Sequence, residues 1–337
     1  MKIRKATEED IQGLIEFNIE HFPKSQEHET KEYFEYRYLS NPYKSDHFGG
    51  IIVAEDEHKR ISGQNLLMPN RFKFKGKIYS GFWGMDYFVH ERARKSLAGL
   101  SIGIECMKIK NQFGLGLSLP SVKLHLALKG LIIGREARFY RINNCFSALM
   151  QYVFNRQRKI ITSSFPNAIE SSSGTFLKIL NPDDAEISNR GYLNEDVLEF
   201  SRDREFLKWR FFHYEGKYAF YKHNKSESYF VVRPITWKKM NCLLLVDYRF
   251  DHRNYEMFDS ILSAVKYLSK TMKFTVILTG CSLSGLFPVM RKNGFKRFGN
   301  DLIVTVSKFS DDITEFKTDN VSVTFADSDS DFNYGSN

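Results

Sequence analysis

Cysteine is scarce in this chain: four residues among 337, at Cys106, Cys145, Cys242 and Cys281, with no Cys-x-x-Cys spacing. That excludes a disulfide framework and a structural zinc centre as organising devices. No run of eighteen apolar residues occurs, and the opening Met1-Lys-Ile-Arg-Lys-Ala-Thr7 is unlike a signal peptide. A soluble, cytoplasmic chain without membrane insertion is expected. Long Lys/Arg blocks and nucleic-acid module signatures are also missing, so nucleic acid is not an expected partner. Acids are short over most of the length. Residues 311–337 hold seven acids against one base, Lys317, which leaves residues 1–310 at +15 within a total of +9. A body that basic attracts small phosphorylated molecules. Hydrophobic content of 42% and charged content of 26% are globular values, and the length suggests two domains.

The pattern of elements begins with Ile3-Arg-Lys-Ala-Thr-Glu-Glu-Asp10, which reads as strand and cap, and an amphipathic helix runs on to Phe22. Asp10 stands in the capping-box place behind Thr7. Strands follow at 50–55 and 61–68, and 71–77 forms a hairpin turning at Gly76. Phe82-Trp-Gly-Met-Asp-Tyr-Phe-Val-His90 reads as a strand, Glu91-Arg-Ala-Arg-Lys-Ser-Leu-Ala-Gly99 as a basic turn, and 100–110 as a helix. A strand at 113–119 and a helix at 121–129 lead to Gly130-Leu131. Strand, basic turn and helix start together make a pyrophosphate-binding geometry, because the first N–H groups of a helix lack internal partners.

Arg94-Lys-Ser-Leu-Ala-Gly99 resembles the Arg/Gln-x-x-Gly-x-Gly/Ala acyl-CoA loop of the GNAT superfamily of N-acyltransferases, with Leu97 standing where that family has its first glycine. The element order around it and the Gly-Leu pair at 130–131, in place of the family's Gly-Phe, extend the resemblance over residues 1–150. A second round appears later. Glu32-Tyr-Phe-Glu-Tyr-Arg-Tyr38 resembles Glu205-Phe-Leu-Lys-Trp-Arg-Phe211, and 122–131 resembles 286–295. The shared Arg37 and Arg210 suggest a structural task common to both copies.

The resemblance implies an α/β (α+β) chain of two tandem GNAT-like domains, each a mixed, mostly antiparallel sheet flanked by helices. The N-terminal copy, 1–150, would bind acyl-CoA. A linker, 151–194, would pack across the domains. A degenerate second copy, 195–310, has Asp251-His-Arg-Asn254 in place of the loop and would shape the acceptor site. Residues 311–337 would be an acidic tail with a last strand at 321–325, after which the Asp327/Asp329/Asp331 alternation reads as a solvated terminus.

For the chemistry, the resemblance places the coenzyme on Tyr87, Phe88, Val89, Arg92, Arg94, Lys95, Ser96, Leu97, Ala98, Gly99 and Leu100. The family's acid, a tyrosine, does not carry over, because Leu126 holds its position. His125 and Asp86 are the candidate proton acceptors, and water can deprotonate the amine in their place. Trp83, Arg210 and Tyr221 are candidate substrate contacts, within an aromatic-rich region that includes Phe212, Tyr214, Tyr218, Tyr229 and Trp237. The resemblance is nearest to bacterial enzymes acylating a nucleotide-diphosphate-linked amino sugar. Another small amine, or a non-catalytic scaffold, remains the alternative. No metal is expected, and the oligomeric state is open.

Overall fold

A computed structural model describes residues 1–21, 31–44, 50–154, 162–185, 195–214, 216–251, 253–328 and 330–331. Two compact units emerge, Met1–Arg135 with Leu302–Asn320, and Glu136–Asp301 with the chain from Val321 onward. The break at Arg135/Glu136 differs from the expected boundary at 150, and each unit takes a piece from the far end of the chain.

In the first unit β1 (Lys2–Lys5) leads through a Thr7–Asp10 capping box into α1 (Ile11–His21). The Thr7 N–H donates to Asp10 at 2.7 Å, as the sequence predicts. The short α2 (Lys31–Phe34) then widens into a π-helical turn, Glu35–Leu39. Next come β2 (Ile52–Glu55), β3 (Ile61–Phe74), β4 (Lys77–Val89), the single turn α3 (Glu91–Arg94), α4 (Ala98–Met107), β5 (Gln112–Leu115) and α5 (Leu119–Ala127). The sheet runs β1-β2-β3-β4-β5 and is antiparallel except for β4–β5, which are parallel. Ala98, Ile102 and Cys106 line one face of α4 and bury against Ile52 and Ala54 of β2. That stripe, at helical spacing, fixes where the N-terminus of α4 points.

After β6 (Leu131–Ile142) the second unit contains α6 (Cys145–Phe154), β7 (Ala168–Ser171), β8 (Gly174–Ile179), β9 (Leu198–Phe200) and α7 (Arg204–Leu207). A second π-helical turn, Lys208–Phe212, follows α7. Then come β10 (Ala219–His223), β11 (Tyr229–Trp237), β12 (Met240–Arg249), α8 (Tyr255–Thr271), β13 (Val276–Cys281), α9 (Phe287–Lys292) and β14 (Lys296–Arg297); the chain next gives β15 (Leu302–Val306) to the first unit and β16 (Val321–Ser322) to the second. The sheet order is β7-β8-β10-β11-β12-β13-β6, with β12–β13 its parallel pair. Phe258, Ile261, Leu262, Val265 and Leu268 of α8 supply the core at i, i+3, i+4 spacing. Asn254 caps that helix by accepting the Met257 N–H at 3.0 Å. The closing strands are exchanged in sequence order. β15 pairs with β5 in the first unit, and β6 pairs with β13 in the second.

Two expectations need correction. Of the proposed linker, 162–185 contains β7 and β8, strands of the second unit's sheet; 155–161 and 186–194 lie outside the described residues. The Asp327 and Asp331 pair, expected to be a solvated terminus, is buried. Asp327 and Asp331 are 2% and 0% exposed, because Arg202 pairs with the first at 2.8 Å and Arg210 with the second; Asp329 lies outside the described residues. The other ends of these ion pairs are equally buried. Burial opposes ionisation of Asp247, yet Arg202 and Arg249 hold its carboxyl at about 2.

Candidate functional site

The parallel pairing of β4 with β5 covers three positions, Phe82–Gly84 against Gln112–Gly114. Glycines face each other at the last of these. A Cβ on Gly84 would come within 2.9 Å of Gln112 Nε2, and one on Gly114 within 2.8 Å of Thr305 Oγ1. Beyond this point β4 continues to Val89 with no strand partner on that side among the described residues. A β-bulge falls in the same place. Met85 pairs with Leu66 but Phe88 with Gln64, so β4 has one residue more than β3. Asp86 takes the left-handed conformation (φ 49°) that the bulge requires. Its carboxylate accepts from the buried Arg37 at 3.2 Å, and its carbonyl accepts from Gln64 Nε2 at 3.3 Å. Gln64 is itself anchored on Asn18 at 2.6 Å. The result is a strand edge, Tyr87–Val89, swung away from β5 and held there by side chains.

The loop after β4 is built on Tyr87. Its hydroxyl donates to the Gly99 carbonyl at 2.6 Å, and burial pushes its pKa up to about 12, so it stays a donor. A Cβ on Gly99 would sit 3.2 Å from that oxygen, so the position favours glycine. Leu97 enters α4 in the left-handed conformation (φ 59°, ψ 15°) with its side chain 63% exposed. That backbone explains why the resembling family has glycine there. Ala98 packs in the core, and the first N–H groups of α4, like those of any helix start, point back along its axis toward the loop. Arg92, Lys95 and Arg94 are exposed. Arg94 donates to the Val89 carbonyl at 3.3 Å, and its guanidinium lies 5.9 Å from the Phe88 ring centre. Ser96 donates to Ala93 at 2.7 Å, and Leu100 is 38% exposed. Apart from Ala98, whose side chain is core, the residues expected at the coenzyme line the β4 edge, the loop and the first turn of α4.

Other expected site residues are engaged elsewhere. Trp83 is 2% exposed and packs on Phe113, so it is core. Tyr221 is fully buried, stacked on Phe230 and donating to the Pro166 carbonyl. Arg210 is buried against Asp331 and Tyr218. None of the three is open to a substrate: strand alternation turns Trp83 and Tyr221 inward, and Arg210, on the π-helical turn, is drawn in by Asp331. Tyr218 and Tyr229 are buried as well. His125 Nε2 is 2.9 Å from the Val306 carbonyl and fills the space over Gly130, where a Cβ would meet it at 2.1 Å. Burial lowers its pKa, with the Val306 hydrogen bond opposing, so the ring is a neutral donor that closes α5 on β15. His125 and Asp86 share no partner among the described residues.

Sequence reading missed Arg37, Gln64 and Asn18, which shape the bulge; only the Arg37/Arg210 repeat hinted at the first. It also missed a cleft of about 370 Å³ beside the loop, lined by Glu16, Glu20, Arg60, His90 and Arg92. Ligand atoms of Glu20, His21 and His90 there lie within 4.8 Å of one another. His90 Nδ1 accepts the Arg92 N–H at 3.1 Å, which places the ring proton on Nε2, the atom facing Glu20. A metal would need that lone pair free.

No protein-family profile and no curated protein matches the sequence. Solved structures do match in shape. A conserved protein of unknown function from Enterococcus faecalis V583, described as a probable N-acyltransferase, superposes with a TM-score of 0.58 at 11% identity, covering 91% of this chain and 72% of that one. N-myristoyltransferase of Saccharomyces cerevisiae with bound myristoyl-CoA gives 0.57 at 13% identity, covering 90% and 82%. The fold is that of the GNAT N-acyltransferases. A GCN5-related N-acetyltransferase from Anabaena variabilis ATCC 29413 gives 0.56 at 10% identity, covering 91% and 73%. No helix among the described residues is long and apolar enough to cross a membrane.

Proposed function

We propose that this protein is an acyl-CoA-dependent N-acyltransferase whose coenzyme lies on the first unit. The observation that carries the reading is the conjunction at β4: an edge freed by the splay from β5, continuing directly into a basic loop and the N-terminus of α4. An extended pantetheine arm can pair with the backbone of Tyr87–Val89 as an added strand does. The pyrophosphate then meets the N–H groups of Ala98, Gly99 and Leu100 and the side chains of Arg92, Arg94 and Lys95. The yeast N-myristoyltransferase of the same fold carries myristoyl-CoA.

With the thioester at the bulge, a neutral primary amine attacks its carbonyl carbon. The tetrahedral oxyanion is held by β4 N–H groups, and coenzyme A leaves as the thiol. Asp86 is the proton acceptor in this reading, kept in place by Arg37. His125 is not, since its ring serves the Val306 carbonyl. For the acceptor, a nucleotide-linked amino sugar is the specific candidate. The candidate substrate contacts Trp83, Arg210 and Tyr221 are core, so what supports it is the basic charge of residues 1–310.

Calorimetric titration with acetyl-CoA tests the coenzyme, followed by an amine screen that includes nucleotide-linked amino sugars, amino acids and peptides. Binding of one coenzyme per chain with turnover of an amine is expected. Absence of binding to any coenzyme A species would leave a GNAT-shaped scaffold. Asp86→Asn, tolerated in the left-handed backbone, should lower kcat at unchanged coenzyme affinity. An unchanged kcat would remove Asp86 from the mechanism.

A further inference from the structure

α6 is an amphipathic helix turned inside out. Ala148 is its buried residue, and Gln151 points inward, accepting from the Asn241 N–H at 2.9 Å and the Thr275 hydroxyl at 2.6 Å. The opposite face carries Phe146, Leu149, Tyr152 and Val153, which are 72%, 59%, 55% and 57% exposed. Their spacing, i, i+3, i+6, i+7, is that of a single helical stripe. Water-facing apolar stripes of this kind mark interaction surfaces.

The charge around the stripe has one sign. Gln151 ties α6 to Asn241 and Thr275, so the helix abuts the two turns that precede β12 and β13. The first turn is Lys238-Lys239, between Trp237 and Met240 of the β11–β12 hairpin. The second brings Lys270 and Lys273 from the end of α8. All four lysines are exposed and have no ion pair among the described residues. The described stretches that meet here, 137–154, 228–246 and 260–300, contain no aspartate or glutamate.

We propose that this face of the second unit docks on an anionic lipid surface, with the α6 stripe entering the headgroup layer and the lysines lying on the charged headgroups. An exposed stripe of aromatic and aliphatic side chains on a helix that abuts lysine-bearing turns is what an interfacial helix presents. A second copy of this chain would bring the same lysines face to face, so self-association through the stripe is opposed by like charge.

The test is flotation of the full chain with vesicles of phosphatidylcholine alone and of phosphatidylcholine mixed with phosphatidylserine. Binding to the mixed vesicles, weakened by salt, is expected, with little binding to the neutral ones. Lys238→Ala with Lys239→Ala should weaken it about fivefold per lysine, and Leu149→Ser with Val153→Ser should abolish it. These positions are exposed, so both variants should keep the wild-type circular dichroism. No binding to the mixed vesicles would overturn the proposal. Equal binding to both vesicle types, or binding that neither variant alters, would do so too. A chain that self-associates without lipid and becomes monomeric in the serine variant would identify the stripe as a self-interface and overturn it as well. So would binding to polyglutamate in the absence of vesicle binding, which would indicate an acidic protein partner.

Discussion

β4 and β12 are the same device in two settings. Each runs parallel to the next sheet strand for a few residues, β4 to Gly84 and β12 to Leu245, and each then bulges, at Asp86 and at Val246. Each unit also places an arginine on a π-helical turn, Arg37 on Glu35–Leu39 and Arg210 on Lys208–Phe212. The difference lies in what occupies the opening. At β4 the arginine holds the bulge itself, through Asp86. At β12 the C-terminal segment has moved in: the Ala326 N–H donates to the Val246 carbonyl at 3.0 Å, and Ser282 binds Val321 and Val323. Arg210 holds that segment through Asp331 and the Ala326 carbonyl. There the bulge carbonyl is already engaged by the chain's own tail, and Asp251-His-Arg-Asn254 stands where the first unit has its basic loop.

The largest effect that would sharpen this contrast comes from the two arginines. Arg210→Met leaves the fully buried Asp331 carboxylate, among the described residues, with Arg233 and Tyr218, and should destabilise the protein by about 3–5 kcal/mol in urea unfolding. Arg37→Met uncovers Asp86, which is nearer to solvent, and should cost about 1–2 kcal/mol while weakening coenzyme binding. Equal losses from the two, or coenzyme binding that responds to Arg210 alone, would break the comparison.

Next in size is Glu136, on β6 beneath the tail. Its carboxyl is wholly buried and has no hydrogen-bond partner among the described residues. Its oxygens and the Phe325 ring both close on Gly280. Burial, with Asp327 adding and Arg138 opposing, raises its pKa from the ordinary 4.5 to about 8. The native state therefore keeps a proton that the unfolded chain has released. Stability is full below the ordinary value, falls as pH rises through this window, and levels off above the raised one. Glu136→Gln should remove that slope, unfolding at higher urea than the wild type in mildly alkaline buffer. A wild-type slope retained in the variant would assign the titration to another group.

A smaller effect concerns the loop that only the first copy has. Arg94→Ala should raise the KM for acyl-CoA about tenfold, as loss of one charge-assisted phosphate contact does, with the amine's KM little changed. An unchanged coenzyme KM would detach the loop from the coenzyme.

Much of this was legible in the sequence, and the reasons are local. Capping at Thr7, the periodicity of α8 and the basic turn after β4 are written in consecutive residues. The repeated Tyr36-Arg37-Tyr38 and Trp209-Arg210-Phe211 segments pointed to a shared structural task, and both lie on π-helical turns with buried arginines. What escaped depends on distant pairing. Asp331 reads as solvated until Arg210, 121 positions away, is placed beside it. The exchange of β6 and β15 likewise depends on which edge each strand finds, and hydrophobic pattern does not encode that choice. Trp83 and Tyr221 were misassigned because an aromatic in a strand looks the same on either face until register is known.

Leu97 gives the smallest and most discriminating prediction. A leucine held in the left-handed region carries a strain of about 1–2 kcal/mol, and glycine there would relieve it while giving back about 0.5–1 kcal/mol in chain entropy. Leu97→Gly should thus stabilise the fold by about 0.5 kcal/mol, within reach of careful urea titration. If the leucine is only a departure from the glycine of the resembling loop, coenzyme affinity should hold or rise, because the N–H is kept and the approach to it is cleared. If affinity falls instead, the exposed leucine side chain is itself a contact, and the loop of this chain recognises its ligand through an apolar surface that the second copy, with its opening filled by the tail, has no occasion to present.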